Sequence, residues 1–190
     1  MRIKKFFPLL FMACCAVLFS SAANAKKTPD EERAEINTDT SKTLNKLYAV
    51  QPSARKDISN AAGYAVFNQF GLKLGIAGGG TSKGYAFHNK NKKKIYMDMV
   101  EAQAGLGLGI KKFGLVWIFE NEKAYDNFVN SGFEVSGQAN LTAASKGKGV
   151  SYTGAVAVAP GVWLYQLTDE GLSAELTVKG SKYYKDKKLN

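Results

Sequence analysis

The chain has 190 residues, with 26 lysines and arginines against 16 carboxylates, a formal charge of +10, two cysteines and one histidine. Both cysteines, Cys14 and Cys15, fall in an apolar N-terminal run, so the rest of the chain is expected to use no thiol nucleophile, disulfide or cysteine-held metal. Beyond that run the only arginines are Arg33 and Arg55, and a surface of lysine point charges lacks the bidentate forks that read guanine, which argues against a specific nucleic-acid partner.

Arg2, Lys4 and Lys5 precede the apolar residues 6–19, and Ala23-Asn24-Ala25 supplies the small-x-small pattern of a signal-peptidase site. Residues 1–25 are therefore expected to be a cleaved signal peptide, with a periplasmic or secreted protein starting at Lys26. A minor alternative is lipoprotein processing at Cys14, after Phe11-Met12-Ala13. The apolar run is short for the ~20 residues that a membrane span needs. Residues 26–190 are long enough for one domain with a real core.

Residues 28–62 read as helical. Thr28-Pro29-Asp30-Glu31 places a capping threonine, a proline at the first helical position and a capping-box glutamate in order. Ile36, Leu44, Leu47 and Tyr48 form a narrow apolar stripe, as in a helix lying on a body. Pro52 breaks the pattern, and Ser53 is placed to cap a second, shorter helix.

From Gly63 the period becomes two. Strands are predicted at Tyr64–Phe67, Leu72–Ala77, Gly84–His88 and Ile95–Gln103, separated by polar or glycine turns, with Asn89–Lys94 as a charged hairpin tip. The apolar run Gly114–Phe119 predicts a strand covered on both faces. Asn121 is placed to cap a helix with Ala124, Phe128 and Val129 on one side, ended by Gly132. Further strands are predicted at Phe133–Ala144, Val150–Ala159, Val162–Leu167 and Leu172–Lys179. Between Pro52 and Pro160 there is no proline, as a hydrogen-bonded sheet requires. The fold class expected is α+β: a mainly antiparallel, strongly curved or barrel-like sheet of about eight strands, with N-terminal helices and one inserted helix.

Two glycine motifs invite an enzymatic reading and fail in context. Gly105, Gly107 and Gly109 lie at two-residue spacing in a strand, not in a strand-to-helix turn where amides converge on phosphate, so no nucleotide cofactor is expected. Gly80-Thr81-Ser82-Lys83-Gly84 spells the G-x-S-x-G of a hydrolase elbow, but an alternating strand follows it, and it reads as a glycine-rich turn. His88, the lone histidine, reads as an exposed residue beside lysines. Asp98 and Glu101 fall on opposite faces of a strand and make no acid pair. No catalytic site and no metal site emerges.

Several stretches in this order resemble the SYLF domain: Ala61-Ala62-Gly63-Tyr-Ala-Val-Phe67, Gln103-Ala-Gly-Leu-Gly-Leu-Gly109, Leu115 to Phe119 with the helix after Asn121, Val162-Trp-Leu-Tyr-Gln-Leu-Thr-Asp-Glu-Gly171 and Gly180-Ser-Lys-Tyr-Tyr-Lys-Asp186. The resemblance covers about residues 40–190, and its last part is similar to the bacterial, exported branch. It implies non-catalytic binding of acidic or phosphorylated lipid head groups. Asn68-Gln69 departs from the proline that relatives often carry there, and the actin regulation of eukaryotic members is not carried over. From charge and bare backbone, the expected lipid contacts are Lys92, Lys93, Lys94, Lys111 and Lys112 with Gly105, Gly107 and Gly109. The expected partners are an anionic lipid or membrane surface. The competing reading is an envelope protein that binds another protein or a polysaccharide, with Trp117, Trp163 and Tyr165 available to stack on sugars.

Overall fold

Two strands of 26 residues each, β1 (Gly63–His88) and β2 (Lys94–Phe119), form the spine of the fold. In this computed structural model residues 27–135, 152–173 and 180–190 are described, with the backbone alone described at 69–78 and 103–112. The strands pair antiparallel from Gly63↔Phe119 at one end to Phe87↔Lys94 at the other, with one register slip between Gly75 and Ala77.

The ribbon is doubled over. The amide of Asn89 donates to the carbonyl of Ala62 at 2.9 Å, and the hydroxyl of Ser82 donates to the carbonyl of Asn68. A Cβ on Gly84 would fall 2.1 Å from the carbonyl oxygen of Val66, and one on Gly63 would fall 2.6 Å from that of Phe87. These pairs centre close to Gly75, which faces Gly107 across the ladder. The slip and the glycines thus mark the corner of the ribbon, where a bulge bends a strand and missing side chains permit close approach.

The short strands complete the sheet from the other edge of β2. Its end, Gly114–Phe119, pairs with β5 (Val162–Thr168), and its beginning, Met97–Glu101, pairs with β7 (Ser181–Lys185). β4 (Val156–Ala159) and β6 (Gly171–Ser173) pair with β5, and β3 (Glu134–Val135) pairs with β7. All pairings are antiparallel, in one strongly curved, barrel-like sheet with helices, the α+β class expected.

Helix α1 (Pro29–Val50) starts with the capping box read from the sequence: Thr28 Oγ1 accepts from the amide of Glu31, whose carboxylate accepts from the amide of Thr28. Its buried face is Ile36, Thr40, Thr43 and Leu47. The two threonines are tolerated there because their hydroxyls are satisfied, Thr40 donating to the carbonyl of Ile36 one turn back and Thr43 to the Asn68 side chain. In α2 (Ala54–Asn60) Ser53 makes no cap; its hydroxyl accepts from the Gln51 side chain instead. Asn121 caps α3 (Glu122–Asn130) through the amide of Ala124, and Gly132 follows with φ +67°.

The two faces of β2 explain its unbroken apolar run. Leu115, Trp117 and Phe119 enter the core closed by α3, with Phe67, Met97, Met99, Phe128 and Tyr183. Val116 and Ile118 meet Leu47, Ala54 and Ile58 of the N-terminal helices, with Val66, Tyr165 and Leu167.

Further expectations are corrected. Residues 63–88 are one strand and not three, because a spread bend with a bulge preserves the ladder through the glycines where separate turns would break it. Gly80–Gly84 accordingly lies inside a strand and is not a turn. β7 was not anticipated: its lysines at 182 and 185 are exposed, and only Ser181 and Tyr183 point inward. The signal peptide, most of the strand expected at 133–144 and most of the strand expected at 172–179 lie outside the described residues.

Candidate functional site

The turn between β1 and β2 carries exposed Lys90, Lys92 and Lys93. It is held rigidly despite its charge. His88 and Lys93 close it by an amide–carbonyl bond of 3.0 Å, the amide of Lys92 returns to the carbonyl of His88 at 2.9 Å, and Asn91 accepts from the amide of Lys93. Lys92 occupies the left-handed region, φ 60°. The Asn89 side chain donates to the carbonyls of Ile58 and Ala61, which docks the tip on the end of α2. Among the described residues, Lys90, Lys92 and Lys93 enter no ion pair, whereas Lys27, Lys42, Lys46, Lys83, Lys182 and Lys188 all do.

Lys94 has a different environment. Its ammonium donates to Asn37 Oδ1 at 2.7 Å and lies 4.3 Å from the centre of the Tyr85 ring. Burial lowers its pKa, and it ties the hairpin to α1. Lys111 and Lys112 pair across the ladder with Gly71 and Phe70, close to the ribbon corner that Gly105, Gly107 and Gly109 also flank. The expected residues therefore fall into two groups, Lys92–Lys94 at the open end of the folded ribbon and the rest around its corner.

Beside the tip is a cleft of about 260 Å³ lined by Lys93, Lys185, His88, Glu122, Tyr125 and Asp126, among others. Sequence reasoning missed Lys185, since only the pairing of β7 with β2 brings it here. His88 is buried and not exposed as expected: Nε2 is 2.6 Å from a Glu122 carboxylate oxygen, Nδ1 accepts from the amide of Lys90, and the ring packs edge-on against Tyr125. An α3 start next to the strand end creates this environment, which strand periodicity cannot reveal.

A larger cavity, about 540 Å³, lies between α1 and the sheet. Asp39, Lys42, Thr43 and Lys46 line it from α1, with Asn68, Phe113, Gly114 and Leu167 from the strands and Thr168 and Asp169 at the end of β5. None of these was singled out as a site residue from the sequence. The one available signal was the i, i+3, i+4, i+7 spacing on α1, which puts the four on one helix face.

Lys83, Asp98 and Ser82, singled out in the sequence motifs, have structural partners. Lys83 meets Asp98 at 2.8 Å, Glu32 at 3.2 Å and Asp186 more closely still. Burial pulls its pKa down, but these three carboxylates together hold it above the ordinary lysine value. Ser82 is buried, its hydroxyl committed to a backbone carbonyl, and His88 is engaged with Glu122, so the G-x-S-x-G motif assembles no nucleophile with its base. Trp117 and Tyr165 are fully buried, which removes them as sugar-stacking platforms, and the Trp163 indole donates to Glu120 at 2.7 Å. Among the described residues no group of three or more histidines, cysteines or carboxylates is arranged to hold a metal. No described helix is long and apolar enough to cross a membrane.

Residues 100–190 match the family model Ysc84, described as "Las17-binding protein actin regulator". Over 167 residues the chain is 34% identical to "Beta cell expansion factor A" of Aeromonas veronii, an alignment covering 86% of this chain and 60% of that protein. The match thus spans less than two thirds of the relative's length. The SYLF-like stretches form strands β1, β2, β5 and β7, and residues 100–190, which hold most of β2 with β5 and β7, carry the match to the Ysc84/SYLF family.

Proposed function

We propose that the protein is an exported, non-catalytic lipid-binding module, with residues 1–25 as its leader, whose rigid hairpin tip meets anionic head groups. The observation that carries this reading is the exposure of Lys90, Lys92 and Lys93 without ion-pair partners among the described residues, on a turn pinned to α2. Each lysine near an anionic surface contributes about 1 kcal/mol, and a preformed tip loses little conformational freedom on contact. The attraction is screened by salt. Co-sedimentation with vesicles tests it: anionic vesicles should retain the protein at low salt and release it at high salt, and neutral vesicles should not retain it. Equal binding to both would overturn the charge mechanism.

A second reading is binding of an envelope protein. It is favoured by two exposed apolar side chains, Val100 of β2 and Tyr184 of the adjacent β7, and by a family model named for a protein-binding activity. A stoichiometric protein partner recovered from envelope extract, with no retention on vesicles, would favour this reading instead.

A further inference from the structure

The cavity beneath α1 has an apolar floor and a rim of both charges, and we propose that it binds a single-chain zwitterionic amphiphile, such as a lysophospholipid with an ethanolamine head. This goes beyond the role assigned to the hairpin tip and does not depend on it, since the two sites share no residue. The floor is Phe113, Gly114 and Leu167, and the cleft, about 540 Å³ and open on one side to solvent, is in the size range of small-ligand sites. Gly114 sets how near α1 comes: a Cβ there would lie 2.7 Å from Thr43 Cγ2 and 3.3 Å from Leu167. Thr43 donates to Asn68 Oδ1, which leaves the Asn68 amide nitrogen as a donor for ester or phosphate oxygens.

The rim decides the head group. Lys42 pairs with Asp39 at 2.9 Å and Lys46 faces Asp169 at 3.8 Å, so two cations alternate with two carboxylates. A purely anionic head would take the lysines and leave Asp39 and Asp169 facing it. A fatty acid has the same defect, and an alkylammonium has the reverse one. A head carrying a phosphate and an ammonium satisfies both pairs of side chains without leaving either uncompensated. These side chains are solvated, so their exchange of partners costs little.

The test is calorimetric titration of the purified protein below the critical micelle concentration with lysophosphatidylethanolamine, lysophosphatidylglycerol and a fatty acid of equal chain length. The expected result is a 1:1 complex with the ethanolamine lipid, about three- to tenfold tighter than with the other two, given the modest worth of exposed ion pairs. Replacing Asp39 and Asp169 together by asparagine should abolish that preference, and both positions are exposed enough to leave folding intact. Leu167→Trp, if folded by circular dichroism, should block all three ligands. Lys92→Ala with Lys93→Ala should leave the titration unchanged while weakening vesicle binding, which separates this site from the tip. No 1:1 complex in the wild type, or equal or tighter binding of lysophosphatidylglycerol, would overturn the proposal.

Discussion

The amide of Asn89 donates to the carbonyl oxygen of Ala62 at 2.9 Å, so residues flanking the two ends of a single 26-residue strand are hydrogen-bonded to one another. Ala62 in turn donates to the carbonyl of Phe119, the last residue of β2. One small junction therefore holds the start of β1, its end and the end of β2. It also places the lysine tip beside α2 and turns the ribbon's glycine-rich middle into a corner. The stability of the fold and the position of the tip depend on the same closure.

The closest approach within that closure is at Gly84. A methyl group there would sit 2.1 Å from the Val66 carbonyl and 2.5 Å from the Phe67 ring, and the backbone cannot yield without opening the junction. Gly84→Ala should lose about 1–3 kcal/mol, the usual range for overpacking. Urea unfolding followed by far-UV circular dichroism measures it. An unchanged midpoint would show that the arms of β1 are not in contact in solution.

Phe128 of α3 packs against Phe67, Trp117, Phe119, Phe133 and Tyr183, with ring centroids 4.8 to 6.4 Å apart. Truncating it leaves a cavity that several rings cannot collapse to fill together. Phe128→Ala should cost about 3–5 kcal/mol. The matching readout is a lower thermal midpoint together with loss of near-UV aromatic signal.

Acid should weaken the attachment of α1 and the C-terminal residues. Burial pushes the Asp186 pKa up, but Lys83 and the amides of Lys188 and Leu189 more than offset it and hold it below the ordinary value. Glu32 is lowered first by its hydrogen bond from Lys188, against burial, with Lys83 adding to the effect. A carboxyl group depressed by folding stabilises the native state above its unfolded pKa, about 3.9 for Asp and 4.3 for Glu, and that stability is lost as pH falls through the folded value. Urea midpoints should therefore fall as pH drops below about 5, following those reference values. Asp186→Asn should be less stable at neutral pH by about 1.5–3 kcal/mol, the worth of hydrogen bonds to a charged group, and should show a shallower acid slope. An identical slope in the variant would remove Asp186 as a source.

The lysines of the hairpin should separate by function. Lys92→Ala with Lys93→Ala removes about 2 kcal/mol of surface attraction, roughly a 30-fold loss of binding to anionic vesicles, with stability unchanged. Lys94→Ala should do the opposite, losing about 1 kcal/mol of stability with its hydrogen bond to Asn37 and its contact with Tyr85, and retaining vesicle binding. Vesicle assays and urea melts on the same proteins compare the two directly.

Local signals were legible wherever one segment decides the outcome. The Thr28 capping box, the Asn121 cap, Gly132 after α3 and the two-sided burial of Leu115–Phe119 all follow from residues within a turn or a strand of one another. The site was much less legible. Lys94 and Lys93 are neighbours in sequence, yet one is committed to α1 and the other is exposed, a difference made by Asn37 and Tyr85 from distant segments. The 540 Å³ cavity draws on α1, β1, β2 and β5, and the α1 spacing that marks one wall says nothing of the strands that complete it.

By itself the sequence determined the order of helices and β-rich segments and the mainly antiparallel class, because capping, alternation and glycine spacing are short-range properties of a chain. The tertiary structure decided that the glycine-rich middle is a corner of one doubled ribbon, that His88 is enclosed by α3, and that the lysines divide into anchored and free. Each of these follows from groups far apart in the chain being brought within a few ångströms, where burial and partner charges change what a side chain can do.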